Sequence, residues 1–139
     1  QARVLEDLRR DAGSRSDGQT PDRCMTWEQL RTMGRAGMEI GSHALSHRSL
    51  SRLPPDEAVR EIRQSKARIE QEMGDRCRHF SFPFGSRRDY NDALIVAVGE
   101  AGYATCALNI HGYNHLDEEL FALKRIIMLP SSNPATLLG

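Results

Sequence analysis

The sequence predicts an α/β fold whose strands are mostly parallel. Amphipathic helical stretches are each closed by a glycine, at Gly37, Gly74 and Gly102. Short apolar runs alternate with them, in the order helix, strand, helix, strand, helix, strand, loop, strand. Alternation at these lengths reads as βα units, because parallel strands need a crossover long enough to hold a helix.

Taken in order, Gln1–Arg10 shows a hint of helical spacing at Val4, Leu5 and Leu8, and Asp11–Arg23 is a polar loop rich in Gly, Ser, Asp and Arg. Thr26 and Gln29 form a capping-box pattern for a helix whose apolar face carries Leu30 and Met33. Met38–Ser42 reads as a short strand running into the polar segment that holds His43 and His47. Pro54 and Pro55 introduce a long helix, Asp56 to Met73, with Asp56 and Glu57 at the positive end of its dipole. Val59, Ile62, Ile69 and Met73 recur at helical spacing, and Glu61, Arg63, Lys66, Arg68 and Glu70 read as a solvated face. His79–Phe84 alternates aromatic with small or polar residues and stops at Gly85, as a strand entering a turn does. Asn91 caps a helix from Asp92 to Glu100; Tyr103–Leu108 and Leu123–Leu129 are further strands, separated by the loop Asn109–Leu120.

The 139 residues suit one domain, 1–139, with a hydrophobic core. A formal net charge of +0 leaves no basic field for nucleic acid or an anionic membrane, and no apolar run is long enough to span a bilayer. The chain starts at Gln1 rather than Met, which points to an N-terminus lying further upstream and makes the lack of a leader uninformative about compartment. Cys24, Cys77 and Cys106 are widely spaced, form no C-x-x-C pair, and read as reduced, packed thiols.

The chemical signal is His43-x-x-x-His47 at the C-terminal end of a predicted strand, the edge where α/β folds gather their active-site loops. Imidazoles four residues apart converge on one metal when the backbone curls between them, although surface and core histidines at this spacing are common.

Context sharpens that signal. Residues 25–53 contain a helix, the strand E-I-G-S-H and then His43-Ala44-Leu45-Ser46-His47; Phe82-Pro83-Phe84-Gly85 follows a further helix, then Ala101-Gly102-Tyr103-Ala104-Thr105 and Leu123-Lys124-Arg125-Ile126. In this order the segments resemble the polysaccharide deacetylase family over about residues 25–129. The resemblance implies a distorted (β/α) barrel and a metal-dependent hydrolase that releases acetate from N-acetyl groups of a glucosamine-containing polysaccharide. It implies a divalent metal, most simply zinc, with cobalt or another ion in some members, held by two His and one Asp. His43 and His47 match the metal ligands, the backbone N–H of Phe84 matches the oxyanion donor, and Pro83 fixes its turn. Arg125 is a candidate for orienting a catalytic carboxylate as a charged partner, and an exposed or structurally paired strand arginine is the equal alternative. Ser42 holds a motif position without a chemical role. The resemblance leans toward the cell envelope or an extracytoplasmic setting.

The sequence also departs from the family. No T-F-D-D motif, which supplies the metal-binding Asp and the base, occurs in the chain, so that motif and the first strands of the barrel are expected upstream of Gln1. Ser81 stands where many members carry Arg. The C-terminal general-acid motif has no clean counterpart; His111 and His115 are the candidates, with solvated loop histidines as the plainer reading, and His79 reads as structural. Asp89, Asp92 and Asp117 are weak candidates for the missing Asp, Asp89 reading as a loop residue and Asp92 as a helix first-turn residue. Phe80 and Phe82 read as core, Trp27 as packing beside its helix start, and sugar stacking is the other reading for each. Two further readings stand beside the enzyme: a non-catalytic remnant that binds glycans or a partner protein, and an unrelated metal-binding module. A barrel lacking its first strands exposes a strand edge, through which a homodimer is expected to form.

Overall fold

Thr26 opens the first helix among the described residues of the computed structural model, which are 24–117 and 119–126. The sequence readings for Gln1–Arg10, for Asp11–Arg23 and for the end of the strand Leu123–Leu129 lie outside the described residues. The Thr26 side chain accepts from Gln29 N–H, and the Gln29 side chain accepts from Thr26 N–H, so the capping box closes as expected and starts α1, Trp27–Arg35. Trp27 sits in the first turn with the Arg68 guanidinium 5.4 Å from its ring centre, which gives it a packing partner. Arg31 Nη1 donates to Glu72 O at 2.9 Å and fastens α1 to the long helix α2, Pro55–Met73.

Pro55 occupies the start of α2, where a missing N–H costs nothing, and Gly74 ends it in the left-handed conformation at φ 70°. Ala58, Glu61, Ile62 and Ser65 are the buried residues of α2. This i, i+3, i+4, i+7 stripe corrects the sequence reading in one respect: Glu61 belongs to the buried face, not to the solvated one. Asn91 caps α3, Asp92–Glu100, by accepting from Leu94 N–H at 3.0 Å, and Asp92 takes its expected first-turn place.

Three parallel strands stand in the order β1 (His79–Ser81), β2 (Thr105–His111) and β3 (Leu123–Arg125). Two are displaced from their expected limits. β1 stops at Ser81 because Pro83 has no N–H to continue the ladder and the chain then turns. β2 runs on through Asn109 to His111, into the expected loop, because its backbone keeps pairing with β3 despite polar side chains. Met38–Ser42 forms no strand; only Ser42 bridges to Phe80, with Ser42 N–H donating to His79 O at 2.8 Å and Ser81 N–H to Ser42 O at 2.9 Å.

Side chains alternate across the sheet with the period of two expected of strands. Phe80, Cys106 and Leu108 face the core with Ile62 of α2 and Val98 of α3, and Phe82 joins them just beyond β1. Phe80 and Phe82 are thus core residues, with ring centroids 5.1 Å apart. His79, Ser81, Thr105 and Ala107 take the other face and border an open groove of about 370 Å³. Cys24, Cys77 and Cys106 are all free, and the latter two are buried. Among the described residues no helix is long and apolar enough to cross a membrane.

Ile62 is fully buried between sheet and helices. Ile62→Ala is expected to lower the unfolding free energy by about 2–5 kcal/mol in chemical denaturation, and a loss below about 1 kcal/mol would show that α2 is not seated as described.

Candidate active site

The bridge at Ser42 delivers the chain to the C-terminal edge of the sheet, where it curls instead of extending. Ala44 has φ 62° and His47 φ 56°, both in the left-handed region that L residues avoid. This curl brings the two imidazoles together, with ring centroids 5.0 Å apart. Phe84 has φ 61°, and Gly85 N–H donates to Pro83 O at 2.7 Å, so the Phe-Pro-Phe-Gly segment makes a tight turn beside them. The exposed Phe84 ring meets His47 edge-on, with centroids 5.1 Å apart. Gly85 is required here: a Cβ would lie 2.7 Å from Asn109 N, which donates to Gly85 O at 2.8 Å.

Three sets of hydrogen bonds hold the curled loop. His43 Nδ1 lies 2.6 Å from Ser81 O, an acceptor only, so Nδ1 carries the proton and Nε2 keeps its lone pair. Partial burial of the ring lowers the His43 pKa, opposed by the bond to Ser81 and assisted by the nearby Arg125 charge, which favours the neutral imidazole. Glu61 accepts from Leu45 N–H at 2.9 Å, Ser46 N–H at 2.8 Å and Ser46 Oγ at 2.6 Å. Burial works to raise the Glu61 pKa, but the bonds from Ser46 and Leu45 outweigh it and hold the carboxyl below its ordinary range. Ser42 Oγ donates to Ser65 Oγ at 2.8 Å, and Tyr103 Oη donates to Ile62 O at 3.1 Å in the same buried cluster. Ser42 therefore has a structural task, anchoring the start of the loop to α2.

Arg125 lies at the end of β3, half-buried, with Nε donating to Leu108 O at 2.8 Å, and lines the groove with His43 and Ser81. Ser81 Oγ is the buried side-chain oxygen without a partner among the described residues. An orphan hydroxyl beside a guanidinium and an imidazole makes a groove suited to an incoming carboxylate.

The other candidates lie elsewhere or serve the scaffold. His79 bonds Thr105 Oγ1 through Nδ1 at 2.8 Å and faces Glu39 through Nε2 at 2.9 Å. His111, His115 and Asp117 are exposed at or beyond the end of β2, and Asp92 stays on α3. Asp89 is buried and engaged by Ser49 and Ser86. No group of three His, Cys, Asp or Glu side chains placed to hold an ion occurs among the described residues. Of the residues expected to ligate a metal, the described part of the chain brings together His43 and His47, a pair where a protein zinc site ordinarily has three or four protein ligands.

The sequence profile described as polysaccharide deacetylase matches residues 12–106. The chain belongs to the polysaccharide deacetylase family. YxkH of Bacillus subtilis (strain 168), assigned to polysaccharide deacetylases, is 27% identical over 106 residues, covering 76% of this chain and 37% of that protein. The Streptococcus pyogenes deacetylase PplD, solved in complex with acetate, superposes with a TM-score of 0.77 at 24% identity, covering 92% of this chain and 52% of that one. The de-N-acetylase from Aggregatibacter actinomycetemcomitans gives a TM-score of 0.71 at 18% identity, covering 89% and 56%. The chain therefore spans between about a third and somewhat over half the length of these relatives. Its parallel sheet with covering helices is the arrangement of these (β/α)-barrel deacetylases.

Two residues that hold the candidate site have tasks that sequence reasoning does not find. Glu61 looks like one more helix-surface charge, and Asp89 like one more loop aspartate. The available signal for Glu61 is its place in line with Ala58, Ile62 and Ser65, small or apolar residues that mark a covered stripe. The depressed pKa of Glu61 means that its clamp contributes stability fully above the ordinary value of 4.5 and loses it as pH falls through the lower folded value. Wild type is expected to exceed Glu61→Gln in unfolding free energy by about 1–3 kcal/mol at neutral pH, with the gap closing in acid; urea titrations across pH measure it, and a pH-independent gap would remove the clamp.

Proposed function

We propose that the site hydrolyses N-acetyl groups on a glucosamine-containing polysaccharide and releases acetate, with His43 and His47 as ligands to a divalent metal, most simply zinc. The observation that carries this reading is the curled loop itself. It juxtaposes two imidazoles, directs the proton of one to Ser81 O, and sets the other against the exposed Phe84 of the adjoining turn. Acetate in the PplD structure and the de-N-acetylase name of a second neighbour agree with such a product and bond.

Each part has a chemical task. The bound ion supplies Lewis acidity and an activated water at neutral pH. His43 and His47 would offer ring nitrogens to that ion; the Ser81 bond commits His43 Nδ1 and leaves Nε2 for the purpose, while partial burial of the ring favours its neutral form. Phe84 N–H donates to the oxygen on which charge develops as the acetyl carbon is attacked, and Pro83 restricts the turn that aims it. Ser81 and Arg125 would receive a carboxylate from outside the described residues, where the expected Asp pair would provide one ligand to the ion and, separately, the base for the attacking water. A specific observation favours a second reading, a glycan-binding domain without hydrolysis: the described residues supply two ligands and no third.

Titration with zinc or cobalt is expected to give about one ion per chain, weakened by at least roughly tenfold in His47→Ala. Acetate release from N-acetylglucosamine oligomers is expected from the loaded wild type and not from His47→Ala. Ion binding and sugar binding without acetate would support the second reading. Equal ion binding by wild type and His47→Ala would remove the metal assignment.

A further inference from the structure

Asp89 is buried, and its carboxylate is engaged from two directions. Ser49 Oγ donates to Oδ1 at 2.7 Å. Ser86 donates to Oδ2 through its N–H at 3.1 Å and through its hydroxyl in a very short contact. Ser49 follows His47 by two residues, and Ser86 follows Phe84 by two. The backbones run in parallel with this link, since Ser51 N–H donates to Asp89 O at 3.3 Å and Ser51 Oγ to Arg88 O at 2.6 Å.

We propose that Asp89 is a positioning residue that fixes the Phe84 turn against the His43–His47 loop. The inference rests on the reading of that loop and turn as the site's machinery, and adds how their separation is set. His47 and Phe84 both hold left-handed backbone, which L residues avoid, so neither segment keeps its shape by local preference. Glu61 holds the loop and Asn109 bonds the turn, and the Asp89 carboxylate bonds to both segments at once. An ionised carboxylate suits the task because it accepts on both oxygens and has no proton to place. Asp89→Ala removes both accepting oxygens at once, whereas in Asp89→Asn the Ser49 hydroxyl could turn to accept from the NH2 group and keep the link. Phe84 meets His47 directly, so the separation is readable at one contact.

The experiment follows the His47 ring protons by NMR in the full-length protein. Phe84→Ala defines their position without the neighbouring ring. Ser49→Ala removes the arm that reaches the histidine loop and leaves both Ser86 bonds in place. In Ser49→Ala and in Asp89→Ala the His47 signals are expected to move most of the way to the Phe84→Ala position. In Asp89→Ala alone, the Ser86 amide is expected to exchange about tenfold faster or more. Wild-type His47 positions in folded Ser49→Ala overturn the proposal, as does a wild-type position already equal to that of Phe84→Ala. If Asp89→Ala does not fold, Ser49→Ala decides alone. A cobalt titration run beside the spectra separates the two ideas: absent cobalt binding in wild type removes the metal reading, while the His47 shift still reports on the link.

Discussion

The site depends on a carboxylate that takes part in no chemistry. Glu61 projects from α2 and accepts two consecutive backbone N–H groups, from Leu45 and Ser46. Those donors belong to a loop that enters left-handed conformation at Ala44 and again at His47. Without an acceptor they would be desolvated without compensation, and the loop would relax toward ordinary extended backbone. One turn further along the same helix, Ser65 holds Ser42 at the start of that loop. The stripe that seats α2 in the core, through Ala58 and Ile62, therefore also determines where the imidazoles stand.

The sheet divides labour between its faces. One face, with Phe80, Cys106 and Leu108, is packed by helices and supplies the apolar burial that drives folding. The other, with His79, Ser81, Thr105 and Ala107, borders the groove and offers polar groups to it. Strand ends then matter more than strand middles. β1 ends just before Pro83, and the curl at Ala44 stops the Ser42 segment from pairing further, which leaves Ser81 O to the His43 ring. Turn and histidine loop thus meet at the C-terminal edge of the sheet, where parallel α/β proteins place their chemistry.

Much of this was legible in the residue order. The capping box at Thr26, the proline start of α2, the glycine ends, the His43 and His47 pair and the Phe-Pro-Phe-Gly turn are local patterns, and local patterns survive translation into structure. Strand limits were less legible. Asn109 and His111 are polar, yet β2 continues through them because a neighbouring strand pairs with their backbone. Met38–Ser42 has strand composition, yet pairing within the described residues is confined to Ser42. The tasks of Glu61, Asp89 and Ser42 were hidden for a related reason. Each acts through bonds to residues distant in sequence, between 15 and 40 positions away for the key contacts, and no periodicity encodes those.

The buried cysteines bear on how the protein reacts with its surroundings. Burial pushes the Cys106 thiol up to about 12 and raises that of Cys77 as well, so both sulfurs stay protonated where the fold is stable. Alkylating and oxidising reagents attack thiolates, and these two sites present almost none. Exposed Cys24 is then the chain's single reactive sulfur, a natural attachment point for a fluorophore or spin label that leaves the packed sheet untouched.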